Sequence, residues 1–301
     1  MLKIAYSPVY KYSLPPGHRF PMDKYELLPQ QLLYEGLITD ENFFHPEKLC
    51  DDEILLTHDE FYLDQLNTNT LTKKAARKIG FPILPSLIER GKHISCGTYQ
   101  CALNAKEYGV SLNIAGGTHH AYADRGEGFC VFNDIAIASN LLLDKNEVQQ
   151  ILIVDLDVHQ GNGTAHIFKD EEKVFTFSMH GAKNFPLKKE ASDLDLPLED
   201  GTEDRIYLES LKSSLPYLIK RLKPDLIFYL SGADVLESDR LGRLSLSRQG
   251  CAERDRYVFE VAYDNAIPVA VSMGGGYSPQ IRDIIEGHAN TFRSAKDVFN
   301  L

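Results

Sequence analysis

The chain has 301 residues, of which 43% are hydrophobic and 25% are charged, so a sizeable core can form and a disordered chain is excluded. Asp and Glu number 43 against 32 Lys and Arg, a net charge of −11 that argues against direct nucleic-acid binding, because such proteins present basic surfaces to phosphates. No apolar run is long enough for a membrane span, and the five cysteines form no C-x-x-C pair. We therefore expect a cytoplasmic protein without a membrane span.

Apolar runs alternate with stretches of helical period along the chain, and neither a linker nor a repeat divides it, so we predict one domain over residues 1–301. Predicted strands cover residues 2–6, 111–115, 150–155, 174–178, 226–230 and 268–272, and predicted helices lie near 23–36, 84–108, 133–143, 204–222, 248–264 and 279–292. Residues 188–204 are predicted to form a long polar loop. Strands that are apolar on both faces and alternate with helices predict an α/β fold with a mostly parallel sheet flanked by helices.

Five of the predicted strands are followed by segments rich in glycine, histidine and aspartate. These segments are residues 116–120, 155–159, 178–180, 231–234 and 273–277. Ligands of open α/β sheets bind at the carboxyl ends of the strands. We therefore expect the five segments to converge on one site.

Three residues in these segments form a candidate metal site. Asp157 and His159 are two positions apart at the end of a predicted strand, so both side chains point to the same side, and Asp234 adds a second carboxylate. One imidazole and two carboxylates leave coordination positions open, as in catalytic sites, and suit Zn²⁺, Fe²⁺ or Mn²⁺. The alternative is that the aspartates cap helices and His159 is a loop histidine. The three residues together favour the metal site.

Two glycine-rich segments carry candidates for proton transfer and oxyanion binding. His119 and His120 follow two glycines, and a histidine there is suited to accept a proton from water. Tyr277 follows three glycines and is suited to donate a hydrogen bond to an oxyanion. A surface histidine patch and an ordinary glycine-rich turn are the alternatives.

The order of the motifs points to a family. They read GGTHH at 116–120, GF at 128–129, DLDVHQGNG at 155–163, GAD at 232–234 and GGGY at 274–277. In order and spacing they resemble the metal-dependent histone deacetylase family over nearly the whole chain. The segments HRFP at 18–21 and DVLESDRLGRLS at 234–245 are similar to its class IV branch and bacterial relatives. The resemblance implies an arginase/deacetylase fold with a central eight-stranded sheet.

The resemblance also implies bound metals. Zn²⁺ would be held by Asp157, His159 and Asp234, with Fe²⁺ as an alternative in the cell. K⁺ is a second implied cation, at a site formed by Asp155, Asp157, His159, Ser178 and Met179.

Catalytic roles follow from the same resemblance. His120 would act as general base and then as general acid, His119 would be an electrostatic partner oriented by Asp155, and Tyr277 would polarise the amide carbonyl. One position departs from the class I pattern, because Asn162 stands where an aspartate pairs with the second histidine. A neutral amide stabilises imidazolium less than a carboxylate does, so we expect a lower pKa for His120 than in a carboxylate-backed site.

A narrow substrate tunnel is also implied. Its predicted walls are Gly128, Phe129, Phe185, Leu241 and Gly275. For Phe185, ordinary packing is an equal alternative. Leu241 stands where polyamine-selective relatives carry a glutamate, so a polyamine is less expected as substrate.

These residues predict hydrolysis of an N-acyl amide by metal-activated water. The expected substrate is a lysine side chain carrying an acetyl or longer fatty acyl group, in a peptide; a small acetylated amine is the alternative. A ureohydrolase on the same fold would need more carboxylates for two metal ions, and an acyl-lysine binding module would not need the histidine pair and Tyr277.

Overall fold

The computed structural model describes all 301 residues, and one eight-stranded sheet forms its centre. The strands are β1 (Lys3–Ala5), β2 (Phe43–Phe44), β3 (Val110–Asn113), β4 (Ile151–Asp155), β5 (Val174–Gly181), β6 (Leu194–Leu198), β7 (Leu226–Ser231) and β8 (Val269–Met273). Their spatial order is β2-β1-β3-β8-β7-β4-β5-β6, and all neighbouring pairs are parallel. The predicted fold class, α/β with a central eight-stranded parallel sheet, is confirmed.

The central strands are buried along their whole length, as expected where helices cover both faces of a parallel sheet. Alternate residues of β4 face opposite layers. Leu152 and Val154 pack into the larger apolar cluster, whereas Ile151 and Ile153 pack into the smaller one. The uninterrupted apolar runs of the sequence therefore correspond to strands with two buried faces.

Ten α-helices surround the sheet. They are α1 (Lys24–Tyr34), α2 (Asp51–Leu55), α3 (Glu60–Asn67), α4 (Lys73–Ile79), α5 (Pro85–Tyr108), α6 (Asp134–Asp144), α7 (Asn162–Phe168), α8 (Asp204–Leu222), α9 (Arg248–Asp264) and α10 (Ile281–Val298). Helix α6 contributes to the smaller cluster, and α8 and α9 contribute to the larger one. None of the helices is both long and apolar enough to cross a bilayer.

The prediction of a polar loop over residues 188–204 is wrong in part, because β6 lies within it and pairs with β5. This strand is short, carries Pro197 and lies at the edge of the sheet, where a missing N–H is tolerated. Its alternation of leucine with polar residues was masked by the surrounding charges. The two-residue strand β2 and the short helices α2, α3, α4 and α7 were also missed, because such segments are too short to show a period.

Candidate active site

Asp157, His159 and Asp234 lie together at the carboxyl edge of the sheet. All three are buried, and one potential ligand atom from each lies within 4.8 Å of the others. Asp157 and His159 follow β4, and Asp234 follows β7, the neighbour of β4 in the sheet. The strand order therefore brings together two segments that are distant in sequence.

The donor atoms of this cluster fit a divalent cation. His159 Nδ1 lies 2.9 Å from Asp157 Oδ1 and 3.2 Å from Asp234 Oδ2. One Nδ1 hydrogen can satisfy only one of these oxygens, and Asp234 Oδ2 is buried without a hydrogen-bond partner. Burial, together with the negative charge of Asp157, raises the pKa of Asp234 to about 7. Two buried carboxylates beside one imidazole are costly without a positive charge between them, and this is the donor set of an open metal site.

Backbone groups hold both carboxylates in place. The Gly275 amide donates to Asp157 Oδ2 at 2.7 Å, and the Val158 amide donates to Asp234 Oδ1 at 3.0 Å. A Cβ atom on Gly275 would collide with the carboxylate of Asp234, so glycine is required for this close approach. Gly275 therefore lies beside the three candidate metal ligands, deeper than the other predicted tunnel residues.

Arg254 on α9 joins the two segments that carry the candidate ligands. Its guanidinium is fully buried, and Nη1 donates to Leu156 O at 3.2 Å and to Gly232 O at 2.7 Å. Arg254 Nη2 also forms an ion pair with Asp255 Oδ1 at 2.7 Å. Sequence reasoning missed this residue because it stands in a charged stretch of a helix, where nothing marks one arginine as buried.

His119 pairs with a carboxylate. Its Nδ1 lies 2.7 Å from Asp155 Oδ2, and because a carboxylate can only accept, Nδ1 carries the hydrogen. Burial opposes the charge on His119, but the Coulomb attraction and hydrogen bond of Asp155 together with the charge of Asp157 outweigh it, so the histidine's pKa is raised. The structure thus places Asp155 where the resemblance implied it.

His120 pairs with a neutral amide. Its Nδ1 donates to Asn162 Oδ1 at 2.6 Å, which leaves Nε2 as the unprotonated nitrogen. Burial, followed by the charges of His119 and His159, lowers the pKa of His120 well below its usual range. His120 is therefore a neutral imidazole able to accept a proton at neutral pH.

The orientation of the Asn162 amide is set by a residue that sequence reasoning missed. Asn162 Nδ2 donates to Tyr122 Oη at 3.0 Å, and Tyr122 Oη donates to Glu190 Oε1 at 3.1 Å. These bonds turn Oδ1 of Asn162 toward His120. The position of Tyr122, two residues after the histidine pair, was the one available signal.

Tyr277 faces the cluster from the loop after β8. Its ring centroid lies 6.4 Å from that of His159, and its hydroxyl makes no hydrogen bond to the protein. Burial, followed by the charges of Asp234 and Asp157, raises the pKa of Tyr277 well above its usual range. The phenol therefore keeps its proton and is free to donate it in a hydrogen bond.

Two adjacent cavities share lining residues beside the cluster. The outer cavity has a volume of about 650 Å³ and the inner cavity about 40 Å³, and both are lined by His120, Gly128, Phe129, His159 and Tyr277. Phe185 and Leu241 line the outer cavity only, and Gly275 lines the inner cavity only. The Phe185 ring packs edge-on against His120 at 4.8 Å between centroids. A Cβ atom on Gly128 would collide with the His120 ring.

The residues implied for K⁺ lie on two paired strands, β4 and β5, and in the segment directly after β4. Asp155 at the end of β4 is in register with Ser178 of β5, and Met179 is fully buried next to it. Ser178 Oγ lies 3.0 Å from His180 Nδ1. The K⁺ site stays a prediction.

Comparisons with known proteins agree on one family. A family model described as "Histone deacetylase domain" matches residues 18–292. An uncharacterized protein of Picosynechococcus sp. is 43% identical, over 98% of this chain and 99% of its own length. The acetoin utilization protein AcuC of Staphylococcus aureus is 30% identical over 89% of this chain and 75% of its own. Histone deacetylase 2 of Arabidopsis thaliana is 29% identical over 92% of this chain and 74% of its own length.

Solved structures show the same fold. The crystal structure of an HDAC homolog complexed with SAHA superposes with a TM-score of 0.83 at 25% identity, over 99% of this chain and 88% of that one. An HDAC homolog from Aquifex aeolicus gives a TM-score of 0.83 at 24% identity, with the same coverage of 99% and 88%. The chain therefore belongs to the histone deacetylase family and has the arginase/deacetylase fold.

Proposed function

We propose that the chain is a zinc-dependent amidohydrolase that removes an acetyl group from a lysine side chain. Membership of the histone deacetylase family supports hydrolysis of an acetyl amide. The observation that carries the proposal is the buried cluster of Asp157, His159 and Asp234, located where the two cavities meet and faced by His120 and Tyr277. A single cluster of three such ligands fits one metal ion better than the pair a ureohydrolase needs.

The three cluster residues would hold the cation, which supplies the Lewis acidity that makes water a stronger nucleophile and polarises a carbonyl group. His120 Nε2 accepts the proton of the attacking water and later returns it to the leaving amine. The Asn162 bond to Nδ1 keeps this nitrogen available, because it fixes the tautomer. His119, paired with Asp155, lies beside His120 with ring centroids 4.1 Å apart.

The free hydroxyl of Tyr277 donates a hydrogen bond to the carbonyl oxygen, which becomes negative as water adds to the carbonyl carbon. Its raised pKa keeps the phenol protonated for this role. The rings of Phe129 and Phe185 lie beside the cavity and suit the aliphatic stem of a lysine, since aromatic faces pack well on methylene groups. These contacts support an extended amine entering from the outer cavity.

The inner cavity supports a short acyl group. About 40 Å³ holds roughly three water-sized groups at about 10–15 Å³ each, enough for an acetyl but not for a long chain. The buried cations Lys24 and Arg90 also line it, and neither forms an ion pair with a carboxylate. A long hydrocarbon chain in this cavity would remove water from the two cations and would offer them no hydrogen bond in its place, which is unfavourable.

The test is a series of lysine peptides that differ only in acyl length, assayed as purified, after chelation, and after return of zinc or iron. A free acetylated amine serves as the non-peptide arm. We expect turnover of the acetyl peptide, loss with chelator, recovery with metal, and a fall with chain length. Metal-independent turnover, or no turnover with excess enzyme, contradicts the proposal. The second outcome would favour a binding module.

A further inference from the structure

The outer cavity carries the opposite charge to the rest of the chain. Its lining includes five cationic side chains and one carboxylate, a formal charge of +4, although the whole chain carries −11. The five cations are Arg19, Lys78, Lys183, Arg240 and Arg243, and the carboxylate is Glu127. Because like charges in a cleft add to one potential, this cavity attracts anions against the background of the molecule.

Three of the cations already have partners. Lys78 lies 3.8 Å from Glu127, Arg243 lies 3.0 Å from Asp200, and Lys183 is 3.7 Å from Glu199. Glu127, Asp200 and Glu199 are therefore engaged in ion pairs. They do not leave an acidic surface for a basic peptide.

Arg19 and Arg240 are exposed and form neither an ion pair nor a hydrogen bond with the protein. The Arg19 guanidinium lies over the Phe129 ring, 5.0 Å from its centroid. Arg240 stands in a turn whose neighbouring residue, Asp239, accepts the amides of Leu241 and Gly242 at 2.8 Å each. Two arginines thus line the cavity with all of their guanidinium donors free, Arg19 packed on an aromatic ring and Arg240 on a hydrogen-bonded turn.

A free guanidinium on a well-held backbone binds carboxylates in a forked geometry. We propose that the outer cavity selects acetyl-lysines whose neighbours in the polypeptide are aspartate or glutamate, with Arg19 and Arg240 as the residues that contact those carboxylates. Lysine-rich and arginine-rich segments are disfavoured at the same place by repulsion. The inference rests on the proposed deacetylase function and names its substrate class.

The test compares three peptides with the same central acetyl-lysine and with acidic, neutral or basic residues two positions to each side. For the wild type at low salt we expect kcat/KM to be about 10-fold or more higher for the acidic than for the basic peptide. Most of this ratio should be lost at about 0.5 M added salt, where the Debye length is roughly 4 Å. The double variant Arg19→Gln/Arg240→Gln should reduce the ratio to near 1. Arg19→Lys/Arg240→Lys should keep more than half of it.

Arg205→Gln is the matched control, because Arg205 is exposed on α8 and does not line the cavity. Each of these arginine-to-glutamine substitutions removes one positive charge. Arg205→Gln should leave the acidic-to-basic ratio unchanged. Equal kcat/KM for all three peptides, or a ratio that persists in the double glutamine variant, overturns the inference.

Binding of fluorescent forms of the three peptides, measured by anisotropy, separates this inference from the proposed function. Preferential binding of the acidic peptide without turnover would retain the selectivity and reject the deacetylase. Turnover without preference would do the reverse. Turnover of a free carboxylate-bearing acetylated amine, with no binding of any peptide, would show that the anion belongs to a small molecule and would overturn the polypeptide assignment.

Discussion

The inner part of the site and its outer cavity use charge in different ways. Among the three candidate metal ligands, each carboxylate is buried and accepts a hydrogen bond from a backbone amide, as Asp157 does from the Gly275 N–H. At the outer cavity, Arg19 and Arg240 are exposed and free of ion pairs. Burial makes the inner charges strong and dependent on their partners, whereas the outer charges are screened by solvent.

The inner residues are therefore expected to determine the rate of the reaction, and the outer cations are expected to determine which substrates are preferred. Changes to the inner residues should alter turnover, metal affinity or pH dependence for every substrate, because they act on the acetyl amide itself. Changes to the outer cations should alter the ranking of substrates. An inner residue should therefore be replaceable without altering the preference for acidic peptides.

Tyr277→Phe should have the largest effect on turnover. Removal of one oxyanion donor costs about 10²–10³ in kcat, roughly 3–4 kcal/mol. The ring still fills its place between Phe129 and Phe20, so folding and metal content should not change. Steady-state kinetics and metal analysis check this, with peptide binding by anisotropy as the control. A variant with nearly normal kcat would exclude the assigned role.

Arg254→Lys should weaken metal binding by about 10–100-fold, the range seen when outer hydrogen-bond partners of a metal site are removed. Lysine keeps the charge beside Asp255, but its three donors cannot replace all the bonds of the guanidinium to Asp255, Leu156 O, Gly232 O and Ser231 Oγ. Competition with a chelator measures the affinity, and circular dichroism checks the fold. If affinity is unchanged, Arg254 supports the fold only, and the two ligand segments hold their positions without it.

Much of this inner region could be predicted from the sequence. Asp157, His159 and Asp234 follow apolar strands, and strand order alone brings such segments together at one edge of a parallel sheet. Glycine-rich motifs marked the segments of His120 and Tyr277 in the same way. Local pattern sufficed because each ligand is defined by its distance from a strand end.

The role of the outer cations could not be predicted in this way, although Phe129, Phe185 and Leu241 of the same cavity were predicted as tunnel walls. Arg19 precedes α1, whereas Arg240 lies in the loop between β7 and α9. Both stand in segments similar to the class IV branch, but that resemblance gave neither arginine a role. Their common location depends on how long loops fold over the sheet, and nearby carboxylates such as Glu199 and Asp200 pair with Lys183 and Arg243 instead. Charge counts along the chain pointed instead to an acidic surface.

Asn162→Asp should shift the pH dependence rather than abolish the reaction. A carboxylate beside His120 Nδ1 stabilises the imidazolium, and an opposite charge at this distance raises a pKa by roughly 1–3 units. His120 must be unprotonated to accept a proton, so a higher pKa moves the acid limb of the kcat/KM profile to higher pH. As the pH is lowered, kcat/KM of the variant should therefore begin to fall at a higher pH than that of the wild type. An unmoved acid limb would mean that His120 does not control it.

Tyr122→Phe should have the smallest effect, because it acts on His120 only through Asn162. Loss of the hydroxyl leaves Asn162 Nδ2 with Glu127 Oε2 at 3.5 Å as its remaining acceptor. A neutral hydrogen bond contributes about 0.5–1.5 kcal/mol, so we expect kcat to fall about 2–10-fold while KM stays constant.

The direction of the pH change distinguishes Tyr122→Phe from Asn162→Asp. The phenylalanine variant adds no charge near His120, so its acid limb should not move to higher pH. The Asn162→Asp/Tyr122→Phe double variant should keep the shifted limb, since an aspartate needs no amide orientation to accept from Nδ1. A KM increase with unchanged kcat would instead place Tyr122 at the substrate, and the inner region would then also contribute to selection.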